Sequence, residues 1–230
     1  MIWMLFIGTM ALSLWAMWRV KSVYHRYNQG VVRSGLTGAE VAAEILRRKG
    51  IRDVEISAGE GMLGDHYDPL HKRLVLSPDN FHGRTPAALG VAAHECGHAI
   101  QHAAAYRPLH WRMAAVGITT YANYIVMFLP LLGLFTGLIA PLTGALIMAL
   151  AWGVIMLFNL VTLPVEFDAS RRAKRVLADF GFIAPGVEAD GVKKVLDAAA
   201  WTYVAAFITS LAYFLWHVLP LLSGGARSRG

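Results

Sequence analysis

The segment His94-Glu95-Cys96-Gly97-His98 sets two histidines four residues apart, with a glutamate directly after the first. On an α-helix, residues four apart lie about 40° apart in projection and roughly 6 Å apart along the axis, so both imidazoles can reach one ion. Glu95 is turned about 100° from His94, a poor direction for a third ligand. It is a good direction for a base acting on water held at the ion, as in zinc proteases of the H-E-x-x-H kind. The plain structural alternative is a pair of buried histidines bonded to neighbours, with Glu95 in a surface ion pair. His102 extends the same face but lies about 12 Å along the axis from His94. That is too far to share an ion whose bonds are about 2 Å long, so His102 reads as a supporting residue. Cys96 is the one cysteine and excludes an intrachain disulfide. A helix turns it about 200° from His94, which suits a small packed residue in a reducing compartment.

The element that must carry these residues is a helix over 86–106. Thr85-Pro86 reads as an N-cap followed by proline at the first helical position, and Pro108 marks the end. A catalytic zinc commonly takes three protein ligands plus water, and two histidines with one glutamate is a standard set. Glu166 is a candidate for the third place. Pro164 opens a predicted helix over 164–180, with Gly181 closing it, and an acid in that first turn is favoured by the helix dipole in any case. Asp168, His66, His71 and His110 compete with Glu166 for the role.

The rest of the chain is that of a membrane protein. Of its 230 residues, 56% are hydrophobic and 16% charged, and the mean hydropathy is positive. A hydrocarbon core of about 30 Å takes some 20 apolar residues to cross. Four stretches qualify: 2–18, 114–135 (interrupted by Pro130), 138–163 and 198–222. The first lacks a basic leader and a small-residue cleavage site, so it is expected to be retained. Of the 21 Lys and Arg, thirteen lie between the first two spans and six between the last two; none lies in the turn joining the second and third. This places both large polar segments in the cytoplasm and the N-terminus outside. The net charge of +6 then fits contact with anionic lipid headgroups, and no pattern indicates nucleic acid.

The polar segment 19–113 is long enough for a small α+β lobe. Thr37-Gly38-Ala39-Glu40 is a capping box, and Gly50 ends the helix that follows. Asp53–Ser57 alternates as a short strand, glycines 59, 61 and 64 form a loop, and Asp65–Pro69 reads as a turn. A second strand, Lys72–Ser77, leads towards the histidine helix. The two strands are expected to pair antiparallel. The second would accept an extended peptide as an added strand.

Several blocks resemble the YugP-like family of bacterial membrane-bound neutral zinc metallopeptidases: Gly64–Pro69, Leu74–Pro78, GVAAHECGHAIQH at Gly90–His102, LPVEFDASRR at Leu163–Arg172 and VLDAAAWTYVAA at Val195–Ala206. The resemblance covers most of the chain. It implies His94, His98 and Glu166 as ligands of one Zn2+ and Glu95 as catalytic base. In the wider glutamate-ligand pattern an aspartate stands four residues after the ligand glutamate. Here Ser170 takes that position and Asp168 lies two residues after Glu166, so which of them orients a ligand imidazole is left open.

Together these readings give a mainly α, multi-pass protein of the bacterial inner membrane. It is expected to be one membrane-embedded metallopeptidase domain, 1–230, with about four transmembrane helices and a small cytoplasmic zincin-like lobe. Its expected activity is zinc-dependent hydrolysis of peptide bonds in peptides, unfolded proteins or membrane proteins. His82, His102, Arg171 and Arg172 are candidates for stabilising an oxyanion. An intramembrane zinc protease and a non-catalytic zinc-binding or transport protein are the rivals. No later span offers an Asp-Gly motif for the first, and the near absence of ionisable residues in the spans (His217 alone) counts against transport. The oligomeric state is not legible from the sequence.

Overall fold

The computed structural model describes residues 2–59 and 64–227, which leaves Gly61 of the predicted glycine loop outside the described residues. The chain is mainly helical. In order it forms α1 (Ile2–Tyr27), α2 (Gly38–Arg48), β1 (Glu55–Ala58), β2 (His66–Asp68), β3 (Arg73–Leu76), α3 (Pro78–His82), α4 (Pro86–Ala103), α5 (Arg107–Thr136), α6 (Pro141–Asp179) and α7 (Val187–Arg227). Helices α1, α5, α6 and α7 are each long and apolar enough to cross a membrane. The chain divides into two compact units.

One unit gathers Met1–Leu14, Trp111–Leu163 and Tyr203–Gly230, the apolar lengths of those four helices. Its interior is small, with Ala122, Ala151 and Ile155 at the centre, while Leu138 is 86% and Phe135 81% exposed. Side chains of this kind turned outward belong in hydrocarbon, not water. Polar contacts join helices inside it: Asn159 Nδ2 donates to Ser210 Oγ at 3.0 Å, and Trp152 stacks on Tyr213.

Prolines do not divide these helices as the sequence suggests. α5 runs through Pro130, and α6 runs through Pro164 as one helix of 39 residues, so the separate helix expected over 164–180 is the C-terminal part of α6. A proline in a helix costs about 3 kcal/mol. Ending a helix in apolar surroundings instead leaves several backbone groups unpaired, each costing several kcal/mol, so continuation wins.

The other unit comprises Trp15–His110 and Pro164–Thr202. Its core joins Val41, Ile45 and Leu46 of α2, Leu74 and Leu76 of β3, Leu89, Ala92 and Cys96 of α4, Ala173 and Leu177 of α6, and Val192 and Leu196 of α7. The local signals read from sequence produce their elements. Thr37 and Glu40 form a reciprocal capping box, and Thr85 Oγ1 accepts from the Ala88 amide to start α4. Gly50 and Gly181 close α2 and α6 with φ of 73° and 72°. α4 stops at Ala103, three residues before the predicted end. Ala105 takes the left-handed position (φ 50°), the Tyr106 amide reaches back to Gln101 O, and Pro108 falls in the first turn of α5 rather than after a helix.

Long-range pairing departs further from expectation. The sheet order is β1-β3-β2. β1 pairs with β3 in parallel, Glu55 opposite Arg73, while Asp65–Pro69 supplies β2, which pairs antiparallel with β3. The hairpin partner of β3 is therefore its immediate predecessor, with Lys72 at φ 50° in the turn, and β1 is left to the far side. With both sides occupied, β3 cannot receive a peptide strand; β1 and β2 are the edges.

Candidate metal centre

α4 and α6 meet along two matched stripes. His94, Gly97, His98 and Gln101 recur at the i, i+3, i+4, i+7 spacing on α4, as do Glu166, Ala169, Ser170 and Ala173 on α6. The small residues set the separation. A Cβ on Gly97 would lie 2.7 Å from Ala169 O and 3.0 Å from its Cα, so the helices touch backbone to backbone there. Ala169 and Ala173 are fully buried beside them. This contact allows a carboxylate of ordinary length on α6 to reach imidazoles on α4.

Glu166 Oε2 lies 3.1 Å from His94 Nε2 and 3.6 Å from His98 Nε2. The three side chains can present ligand atoms that all fall within 4.8 Å of one another. A tetrahedral zinc with bonds of about 2.0–2.1 Å has ligand–ligand edges of roughly 3.4 Å, and the two measured distances bracket that value. The donor set, two imidazole nitrogens and a carboxylate oxygen, suits zinc. The Glu166 side chain is 2% exposed, and those of His94 and His98 are 13% and 10% exposed, so the cluster faces a narrow opening.

The outward-turned ring nitrogens are held as ligand rings require. Gln101 is fully buried, and its Nε2 donates to Val165 O at 2.8 Å and to Asp168 Oδ2 at 3.0 Å. Those acceptors fix the amide orientation, so Gln101 Oε1 accepts from His98 Nδ1–H at 3.0 Å and the His98 Nε2 lone pair is left for a metal. His94 Nδ1 lies 3.2 Å from Ser170 Oγ. Ser170 thus orients His94 directly, and Asp168 acts on His98 through Gln101. The partners of Asp168 on its other side are Arg171 and Arg172. Gln101 is absent from the sequence-derived candidates, although its i+3 spacing from His98 was there to be read.

Burial disfavours charge on His98, but its hydrogen bond to Glu166 and the nearby charges of Glu95 and Glu166 outweigh it, holding the ring's pKa above the usual histidine value. A proton and a metal ion compete for that nitrogen. Glu95 is buried on α4 at 8% exposure. Cys96 packs against α2, where its thiol faces Ala42 O; burial, helped by the Glu95 charge, pushes its pKa up and removes it as a thiolate ligand.

The remaining candidates lie elsewhere. The Tyr67 hydroxyl hydrogen-bonds His102 Nδ1 at 2.9 Å, and the His102 ring lies near that of His110. Burial, then the charges of His110 and Lys72, lowers the His102 pKa. His66 bonds Gly64 O, His71 bonds Asp68, and exposed His82 packs on Phe81. Arg172 lies over the Tyr106 ring as well as pairing with Asp168. Among the described residues, only His94, His98 and Glu166 form a group able to hold a metal ion.

Comparison with known proteins agrees with this chemistry. No solved structure matches the chain. A curated relative, "Putative membrane protease YugP" of Bacillus subtilis (strain 168), is 40% identical over 218 residues, which cover 95% of each chain. The family model described as "Putative neutral zinc metallopeptidase" matches residues 2–222. With a relative so similar over nearly its whole length and a family model spanning almost every residue, the chain belongs to the family that the model describes as "Putative neutral zinc metallopeptidase".

Proposed function

We propose that this chain is a membrane-bound zinc endopeptidase, a single domain over 1–230 whose zincin-like lobe faces the cytoplasm. The observation that carries the reading is the convergence of His94, His98 and Glu166 at ligand distances, with Glu95 next to the first ligand, in a member of a zinc peptidase family. Held by His94, His98 and Glu166, zinc would supply Lewis-acid chemistry, polarising the scissile carbonyl and making water easier to ionise. Glu95, adjacent in sequence to His94, would serve as general base for the hydrolysis, accepting a proton from water and passing it to the departing amine. Gln101 and Ser170 keep the ligand rings turned inward, and burial of the cluster limits competing solvent.

The test is cleavage of an unfolded casein-like substrate by the detergent-purified chain, with zinc measured in parallel. Wild-type protein should cleave. Glu95→Gln should keep its zinc and lose about 10²–10⁴-fold in rate. Metal without turnover in the wild type favours a non-catalytic zinc-binding protein, and full activity in Glu95→Gln removes the base assignment.

A further inference from the structure

Beyond the apolar start of α1, a cavity of about 370 Å³ is lined by residues of α1 and α7, among them Trp18, Arg19, Arg26, Tyr27, Lys194 and Asp197. Its cations outnumber its acids. The lining carboxylate, Asp197, is engaged by Lys174 at 3.0 Å, and Lys194 pairs with Asp190. Arg19 and Arg26 pair with no carboxylate among the described residues; their guanidinium groups lie over the rings of Trp15 and Tyr27, at 5.5 and 5.7 Å. Arg19 Nε is buried and has no hydrogen-bond acceptor among the described residues. Two guanidinium groups without a carboxylate partner give the cavity a net positive charge that suits an anion.

The surroundings identify its source. Trp15 and Trp201 meet edge-on at 5.7 Å. These two rings and Trp18 are 40%, 41% and 66% exposed. Tryptophans grouped where an apolar stretch gives way to basic residues sit at headgroup level in a bilayer. A free phosphate would satisfy the arginines but gives those rings nothing to contact, whereas a phospholipid satisfies both. Gly191 shapes the contact: a Cβ there would lie 2.7 Å from the Tyr27 ring, so only glycine lets α7 lie this close to the end of α1.

We propose that this cavity seats the headgroup of an anionic phospholipid, with the charges of Arg19, Arg26 and Lys194 facing it and the acyl chains leaving past Trp18. The site is independent of the metal centre and of the peptidase reading. The test uses the full chain in a neutral detergent, titrated with phosphatidylglycerol, phosphatidylcholine or inorganic phosphate. Binding is followed by native mass spectrometry and thermal unfolding. Phosphatidylglycerol should bind and raise the unfolding temperature, and the other two should not. Arg19→Gln and Arg26→Gln should each weaken phosphatidylglycerol binding about fivefold, while exposed Arg52→Gln leaves it unchanged. Should Arg19→Gln fold poorly, the exposed Arg26 still carries the test. Equal binding of the two lipids, or binding unaltered in Arg26→Gln and in any folded Arg19→Gln, overturns the proposal. Displacement of lipid by an equal concentration of inorganic phosphate would also overturn it, in favour of a free-anion site.

Discussion

Ser170 and Gln101 decide how well the rings of His94 and His98 are held, because each bonds the Nδ1 atom turned away from Glu166. Loss of such a partner typically costs 10–100-fold in metal affinity. Ser170→Ala should therefore weaken zinc binding about tenfold in a chelator competition while leaving the fold intact. Gln101→Leu should do more. It leaves His98 Nδ1, Val165 O and Asp168 without their buried partner, so thermal unfolding should also show about 1–3 kcal/mol of lost stability. The pairing of His94 and His98 on one helix face was legible from spacing alone, and the structure brings both to Glu166. How Ser170 and Asp168 divide their work was not, since it depends on Gln101, a residue with no metal chemistry of its own that joins two helices far apart in sequence.

At the scale of elements, glycines in α4 make the sharpest prediction. Gly97→Ala drives a Cβ into the Ala169 backbone at 2.7 Å; it should cost about 1–3 kcal/mol and loosen zinc by moving α4 from α6. Gly90→Ala on the same helix meets Val192 at an ordinary 3.5 Å, so the better helix propensity should win and stabilise by up to about 1 kcal/mol. Thermal unfolding of the two variants should move in opposite directions. Caps and glycine-closed helix ends were readable because their causes lie within a few residues. The end of α4 was not, since Ala105 takes the left-handed position usually given to glycine. Strand pairing was misread for a different reason: β1 and β2 compete for β3, and register between distant segments has no local mark. Pro164 was read by the rule for soluble helices, whereas the apolar course of α6 makes interruption the more expensive choice.

For the whole molecule, the distribution of Lys and Arg predicts which side of the membrane each segment faces. Cys96 is the only cysteine and is buried, so introduced thiols can be labelled against a quiet background. Leu138→Cys, in the exposed link between α5 and α6, should react with an impermeant maleimide in intact cells. Arg52→Cys should react only after permeabilisation, and the reverse pattern contradicts the proposed orientation. The metal centre requires α6 to bring the Glu166 carboxylate to a pair of imidazoles whose helix lies some seventy residues earlier. The most direct measurement is the zinc content of the purified full-length chain beside Glu166→Ala. Close to one zinc per wild-type chain and almost none in the variant is the predicted result; equal zinc in both would contradict it.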